Sequence, residues 1–298
     1  IGLCILVVLL AGIGIYLRNG FYGNCVPERR SLYVRSGSEY RTLEDSLDAA
    51  IAHTAFFRFY ARHIELDRSF KPGHYVLEPG MNVVQVARML KLGLQTPVRV
   101  TINNVRTPAQ LAGKLARQIE ADSATIVGAL TDPATARKAG FDSVPLFSMF
   151  IPDTYEFYWT VSPAQFIERM RREYDRFWTP QRDAKRQRSG LSRLEVMTLA
   201  SIVYEETRQS DEMPRIAGVY INRLRKGWPL QADPTVKYAL QEFGLRRIDA
   251  VLDFERHDYM FFCARPTFDG YHDFARTLRE HNANARAYSA ELNRRKIR

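Results

Sequence analysis

The stretch Ser192-Arg193-Leu194-Glu195-Val196-Met197-Thr198-Leu199-Ala200-Ser201-Ile202-Val203-Tyr204-Glu205-Glu206-Thr207 opens with a capping box. The Ser192 side chain is placed to accept from the amide at the third helical position, and Glu195 to reach back to the Ser192 amide. A helix is therefore expected to run to about Thr207. At about 100° per residue, Val196, Leu199, Ile202 and Val203 share one face. Glu206 falls in the middle of that apolar face, while Glu205 lies about 100° round, on its flank. An interior carboxyl loses hydration, which disfavours its charged form and raises its pKa. That is the condition for a general acid at neutral pH. The same placement suits a buried Glu paired with a nearby Arg, and periodicity leaves both readings open.

Toward the C-terminus, Met213-Pro214 opens a second helix. Ile216, Val219, Tyr220 and Leu224 form its apolar stripe, and Gly227 ends it. In Leu230-Gln231-Ala232-Asp233-Pro234-Thr235-Val236, Asp233 is placed to cap a helix whose first residue is Pro234. The other reading of Asp233 sets it beside Gln231 in a polar cleft.

Toward the N-terminus lies the aromatic cluster Phe150 to Trp159, which reads either as core or as a platform on which sugars stack. Before it, Thr107 caps a helix whose first position is Pro108. Ser31 to Arg35 reads as a strand, Ser36-Gly37 as a turn, and Leu43 to Phe57 as a helix. The pattern recurs in a strand at His74 to Leu77, Pro79-Gly80, a helix at Val83 to Leu92 and a strand at Val98 to Ile102. This small α+β module resembles the LysM-like subdomains that bind glycan strands; a plain spacer is the competing reading. From Ile1 to Leu17 the chain carries no charge, which is at the lower limit of length for a membrane-spanning helix.

The chain has 298 residues, 46% hydrophobic and 26% charged, as an ordinary globular protein has. Its net charge of +10 favours anionic partners without choosing among them. The densest basic run, Lys185 to Arg188, reads as a solvated loop or helix end, and no nucleic-acid motif accompanies it. Cys4, Cys25 and Cys263 have no metal-binding spacing and are read as free thiols, with a Cys25–Cys263 disulfide as the alternative. There is no HExxH pair, GxSxG elbow or P-loop.

Three blocks in fixed order, Leu199 to Thr207, Val219 to Leu224 and Leu230 to Val236, resemble the signatures of the endolytic murein transglycosylases of the YceG-like family. Pro152-Asp153-Thr154-Tyr155 and His272 to Asn282 match as well. The resemblance implies an α+β fold: a transmembrane helix (1–17), a linker (18–30), a LysM-like subdomain (31–103) and a mixed, mainly helical catalytic domain (104–298). It implies Glu206 as the catalytic acid, the residue that helical phase also selects. Asp153, Tyr155, Asn222, Gln231, Asp233 and Thr235 become candidate substrate-binding residues.

The implied activity is cleavage of the MurNAc–GlcNAc bond within nascent glycan strands, leaving a 1,6-anhydro end, with no metal or other cofactor. The implied setting is the inner membrane, spanned once, with the catalytic domain on the periplasmic side. Peptidoglycan strands and wall-synthesis proteins are the expected partners, and nucleic acid is not. Two rival readings remain: a hydrolase of the same bond in which Asp153 or Asp233 activates water, and a non-catalytic wall-binding scaffold. One departure stands out. The family's Asn-Thr-Tyr and Gly-Leu-Pro-Pro-Gly-Pro-Ile segment is missing where Arg246-Arg247 runs into Ile248-Asp249. With no turn residue at that junction, Arg247 and Ile248 are expected to be separated by an omitted loop.

Overall fold

The computed structural model describes residues 2–103, 105, 107–141, 146–231 and 245–296. The fold is mixed α and β, mainly helical, and divides into two compact units. One comprises Ile1–Val100, Ala116–Ala121 and Glu156–Ser162; the other comprises Thr101–Leu115, Asp122–Tyr155 and Pro163–Arg298.

The first unit begins with α1 (Gly2–Tyr22), long and apolar enough to cross a membrane. It continues past the charge-free run through Arg18, so the first residues expected as linker are helical. Strand β1 (Arg30–Val34) buries Leu32 and Val34 and exposes the residues between, the period of two that a half-buried strand requires. It pairs antiparallel with β2 (Gly73–Leu77), from Arg30 opposite Leu77 to Val34 opposite Gly73.

Between these strands lie α2 (Tyr40–Asp48), α3 (Thr54–His63) and the short α4 (Leu66–Ser69). The single helix expected over Leu43 to Phe57 is therefore two. His53 stands in the left-handed region at φ 60°, and the Ala52 amide donates to the Cys25 carbonyl at 2.6 Å. A tertiary bond replaces the helical one, which local propensity could not foretell. Helix α5 (Val83–Leu92) has both halves of an Asn82/Gln85 capping box and ends at Gly93, whose φ of 69° suits a residue without Cβ. Its Val83, Val86 and Leu90 close the core over Leu32, Tyr75 and Leu77. Strand β3 (Val98–Thr101) follows and pairs with β4 (Thr154–Phe157).

The second unit contains α6 (Pro108–Leu115), α7 (Ser123–Thr131), α8 (Pro133–Lys138), α9 (Pro163–Phe177) and α10 (Pro180–Ser189). These are followed by α11 (Arg193–Glu206), α12 (Met213–Arg225), α13 (Leu245–Leu252), the hairpin β5 (Phe261–Ala264) and β6 (His272–Ala275), and α14 (Leu278–Arg294). From the aromatic cluster, Phe150, Tyr155 and Phe157 are core and Tyr158 is exposed.

Helix α11 is buried on every side along most of its length, from Val196 to Tyr204 apart from Thr198. The one apolar face expected from its sequence is thus a full apolar surround, as befits a helix enclosed by neighbours. Helices α12 and α13 pack against it. Helix α13 passes unbroken through Arg247 and Ile248. The junction lacks a turn residue because it lies inside a helix, so that lack no longer argues for an omitted loop. Cys25 and Cys263 are free thiols, and burial pushes the Cys25 thiol up to about 11.

Candidate active site

The site begins where α11 stops. Ser192 accepts from the Glu195 amide at 3.2 Å and its own amide donates to Glu195 Oε2 at 2.7 Å, fixing the start of the helix. At the other end Thr207 turns to an extended conformation while its amide still bonds the Val203 carbonyl. The last helical residue, Glu206, is half-buried; its neighbour Glu205 is exposed.

Helix α12 supplies the partner of Glu206. The Tyr220 hydroxyl donates to Glu206 Oε1 at 2.7 Å. Burial, reinforced by the Glu206 charge, pushes the Tyr220 phenol far above its ordinary value, so it remains a donor. The close approach of α12 to the segment at Glu255–His257 depends on Gly218, where a Cβ would come within 2.4 Å of the Glu255 carbonyl oxygen. One turn on from Tyr220, Arg223 is only 7% exposed. It donates through Nε to the Met260 carbonyl at 2.7 Å and through Nη1 to that of Leu230 at 2.5 Å. Burial lowers the Arg223 pKa, while Tyr220 and Glu206 act in the opposite direction. A buried cation thus sits within electrostatic reach of Glu206, held by main-chain carbonyls.

Glu206 lines an open cleft of about 350 Å³, together with Glu205, Arg265, Phe268, Tyr271 and His272. The β5–β6 hairpin forms one wall, its register running from Phe261 opposite Ala275 to Ala264 opposite His272. Phe268, in the turn of the hairpin, is left-handed at φ 58°, which is unusual for a bulky residue and concentrates at ligand-binding sites. Below the cleft, Glu212 is buried and accepts three donors. The His272 amide reaches Oε1 at 2.9 Å, His272 Nδ1 reaches Oε2 at 2.7 Å, and the Thr207 hydroxyl reaches Oε2 at 3.4 Å. Among the described residues no cluster of His, Cys, Asp and Glu has an arrangement fit to hold a metal ion.

The other candidates from sequence go elsewhere. Tyr155 is buried, and its hydroxyl donates to the Ile151 carbonyl at 2.6 Å. Asp153 is exposed and accepts from the Thr154 amide at 2.7 Å. Asn222 donates through Nδ2 to the carbonyls of His257 at 2.7 Å and Tyr259 at 3.0 Å, stitching α12 to the chain ahead of β5. Gln231 is exposed, with φ 49°. None of these four lines the Glu206 cleft. Asp233 and Thr235 lie outside the described residues. Sequence reasoning missed Tyr220, taken as an apolar stripe residue, and the Glu212–His272 pair. The only sequence signal for His272 was its place in a matching block.

The profile of the YceG-like family matches residues 32–247. The endolytic murein transglycosylase of Bacillus subtilis (strain 168) is 22% identical over 311 residues, spanning 88% of this chain and 86% of that protein. The endolytic murein transglycosylase of Streptococcus pneumoniae serotype 2 is 23% identical over 241 residues, spanning 71% of this chain and 43% of that protein. The crystal structure of a yceG-like protein from Listeria monocytogenes has the same fold, with a TM-score of 0.53 and 23% identity over 86% of this chain and 98% of that one.

Proposed function

The chain belongs to the YceG-like family, and from that premise we propose that it is an endolytic lytic transglycosylase of peptidoglycan with Glu206 as its acid and base. The supporting observation is the placement of Glu206: half-buried at the end of a buried helix, on the wall of an open cleft, with Oε1 held by Tyr220. Two curated relatives carry the name endolytic murein transglycosylase.

A glycosidase that retains or inverts configuration uses two carboxylates, one as acid and one as base or nucleophile. A transglycosylase needs fewer groups. With Oε1 accepting from Tyr220, a protonated Glu206 carries its proton on Oε2. It gives that proton to the glycosidic oxygen as the C1–O4 bond breaks. It then takes the proton from the 6-hydroxyl of the same MurNAc as that oxygen bonds C1. The product is a 1,6-anhydro end, no water is consumed, and Glu206 returns to its starting form. The internal nucleophile is already tethered, which replaces the positioning of a water.

In this proposal α1 anchors the protein in the inner membrane with the Glu206 cleft on the periplasmic side, where nascent strands and the wall-synthesis proteins are. The antiparallel β1–β2 pair, with helices α2 to α4 between its strands, supports a LysM-like, glycan-binding reading of the first unit. Gln231, Asp233 and Thr235 stay assigned to substrate on the sequence blocks alone. The test is to incubate the protein with uncrosslinked glycan strands and weigh the new ends. Anhydro ends are expected. Ends heavier by one water would make it a hydrolase, and intact strands a scaffold.

A further inference from the structure

We propose that His272 is a second substrate-contacting residue of the cleft, its Nε2 accepting a hydrogen bond from a sugar hydroxyl while Glu212 holds the ring from behind. The inference rests on the reading of Glu206 as the acid, because both side chains line the same cleft. Glu212 is a buried carboxylate that the Glu206 mechanism does not use. Its side chain is 1% exposed, that of His272 14%.

The geometry fixes more than a structural clamp would need. The His272 amide already ties β6 to Glu212 Oε1 at 2.9 Å. The second bond, at 2.7 Å, ties the ring itself. A carboxylate only accepts, so Nδ1 carries a proton, and in the neutral imidazole the lone pair is then on Nε2. Nε2 has no partner among the described residues. Phe262 meets the ring edge-on at 5.4 Å between centroids, a further restraint on its orientation. The Thr207 hydroxyl shares Glu212 Oε2, so the carboxylate that orients His272 also anchors the residue after Glu206. Glu212 is on this account a positioning residue that registers the two sides of the cleft. An orienting carboxylate of this kind acts by fixing the tautomer of its histidine.

The test uses the full chain in detergent, with ¹⁵N-labelled histidine and uncrosslinked glycan strands. In NMR spectra of the Glu206→Gln variant, which should leave strands uncut, the His272 ring should be the Nδ1–H tautomer, and its Nε2 resonance should move as strands are added. The resonance is assigned by its loss in His272→Gln. In kinetics, His272→Ala should lower kcat/KM about tenfold or more, the scale of losing one substrate hydrogen bond. His272→Gln, whose side-chain oxygen accepts at a similar reach, should recover part of that loss. Glu212→Gln presents an amide that can donate to Nδ1. It should turn Nε2 into a donor and lower kcat while the protein stays folded.

An Nε2 resonance unmoved by strands overturns the proposal, even if the His272→Ala protein fails to fold. So does wild-type cleavage by His272→Ala. In either case an inactive Glu206→Gln variant leaves the acid assignment standing. Cleavage by Glu206→Gln would instead remove the assignment on which this inference is built.

Discussion

Tyr220 and Glu206, on successive helices, are joined by a 2.7 Å hydrogen bond in which the phenol donates to Oε1. Tyr220 is 1% exposed, so its hydroxyl has no water to turn to, and the bond sets the direction of the carboxyl. Tyr220→Phe keeps the ring and deletes the donor. Hydrogen bonds to charged groups are worth about 1.5–3 kcal/mol, so strand cleavage is expected to fall by about 10- to 100-fold. The loss should be in kcat rather than KM, because the phenol faces the carboxyl and not the open cleft. Initial rates on uncrosslinked strands, with a thermal melt as a control for folding, check this. A wild-type kcat would show that Glu206 needs no such support.

Asn222 offers the opposite kind of prediction. Its amide is committed to the His257 and Tyr259 carbonyls, so Asn222→Ala strips two carbonyls of their donor. At about 1 kcal/mol per bond, a loss of roughly 2 kcal/mol in unfolding free energy is expected. KM for glycan strands should hardly change in protein that remains folded. Denaturant titration and steady-state kinetics separate the two effects. A raised KM with unchanged stability would return Asn222 to the substrate site.

These two residues show what was legible in the chain and what was not. Two helix starts were readable because a side chain closes a local bond: Ser192 with Glu195, and Pro108 after Thr107, stand where expected. Glu206 is the less exposed of the two acids, as expected, but not because α11 has a single buried face: the residues one turn before Glu205 are buried as well. Long-range effects were not readable. His53 breaks a helix beside an amide bonded to Cys25, far back in sequence. Asn222 and Tyr155 spend their polar groups on carbonyls, and a motif cannot distinguish that from a ligand contact. His272 and Glu212 are brought together only by the fold. At Arg247–Ile248 a missing turn residue was taken as the sign of a missing loop, and the interior of a helix explains it without one.

Alkaline pH should destabilise the first unit through Tyr75. The ring is fully buried and its hydroxyl donates to the Lys71 carbonyl at 2.8 Å. Burial raises its pKa from 10.0 to about 12. Below pH 10 folded and unfolded chains both hold this proton, so its contribution is complete. Between pH 10 and 12 the unfolded chain releases it first, and stability falls as pH rises. The full effect for this one group is about 2–3 kcal/mol. Tyr75→Phe should be less stable at neutral pH, by about 1 kcal/mol for the lost bond, yet decline less steeply above pH 10. Urea unfolding from pH 8 to 11.5, for both proteins, measures the difference in slope. Parallel declines would mean that Tyr75 ionises equally in both states.

The decisive comparison is between the adjacent carboxylates. Glu205 and Glu206 have the same chemistry, both line the cleft, and they differ in exposure and in what holds them. Glu206 is half-buried and bonded to Tyr220; Glu205 is exposed. Glu206→Gln keeps the shape and the acceptor for Tyr220 but has no proton to give. General acid–base assistance is worth about 10²–10⁴-fold, and a loss of cleavage in that range is expected with the fold intact. Glu205→Gln changes only a solvated charge at the rim, and its rate should stay within about threefold of wild type, on the scale of a weak surface electrostatic effect. Both variants are to be assayed on the same strands, with the mass of the new ends recorded, and their melting temperatures compared. Equal losses would mean that the cleft's charge, rather than one proton donor, drives cleavage. A larger loss at Glu205 would move the acid to the exposed residue and leave Glu206 as a buried partner of Tyr220 and Arg223.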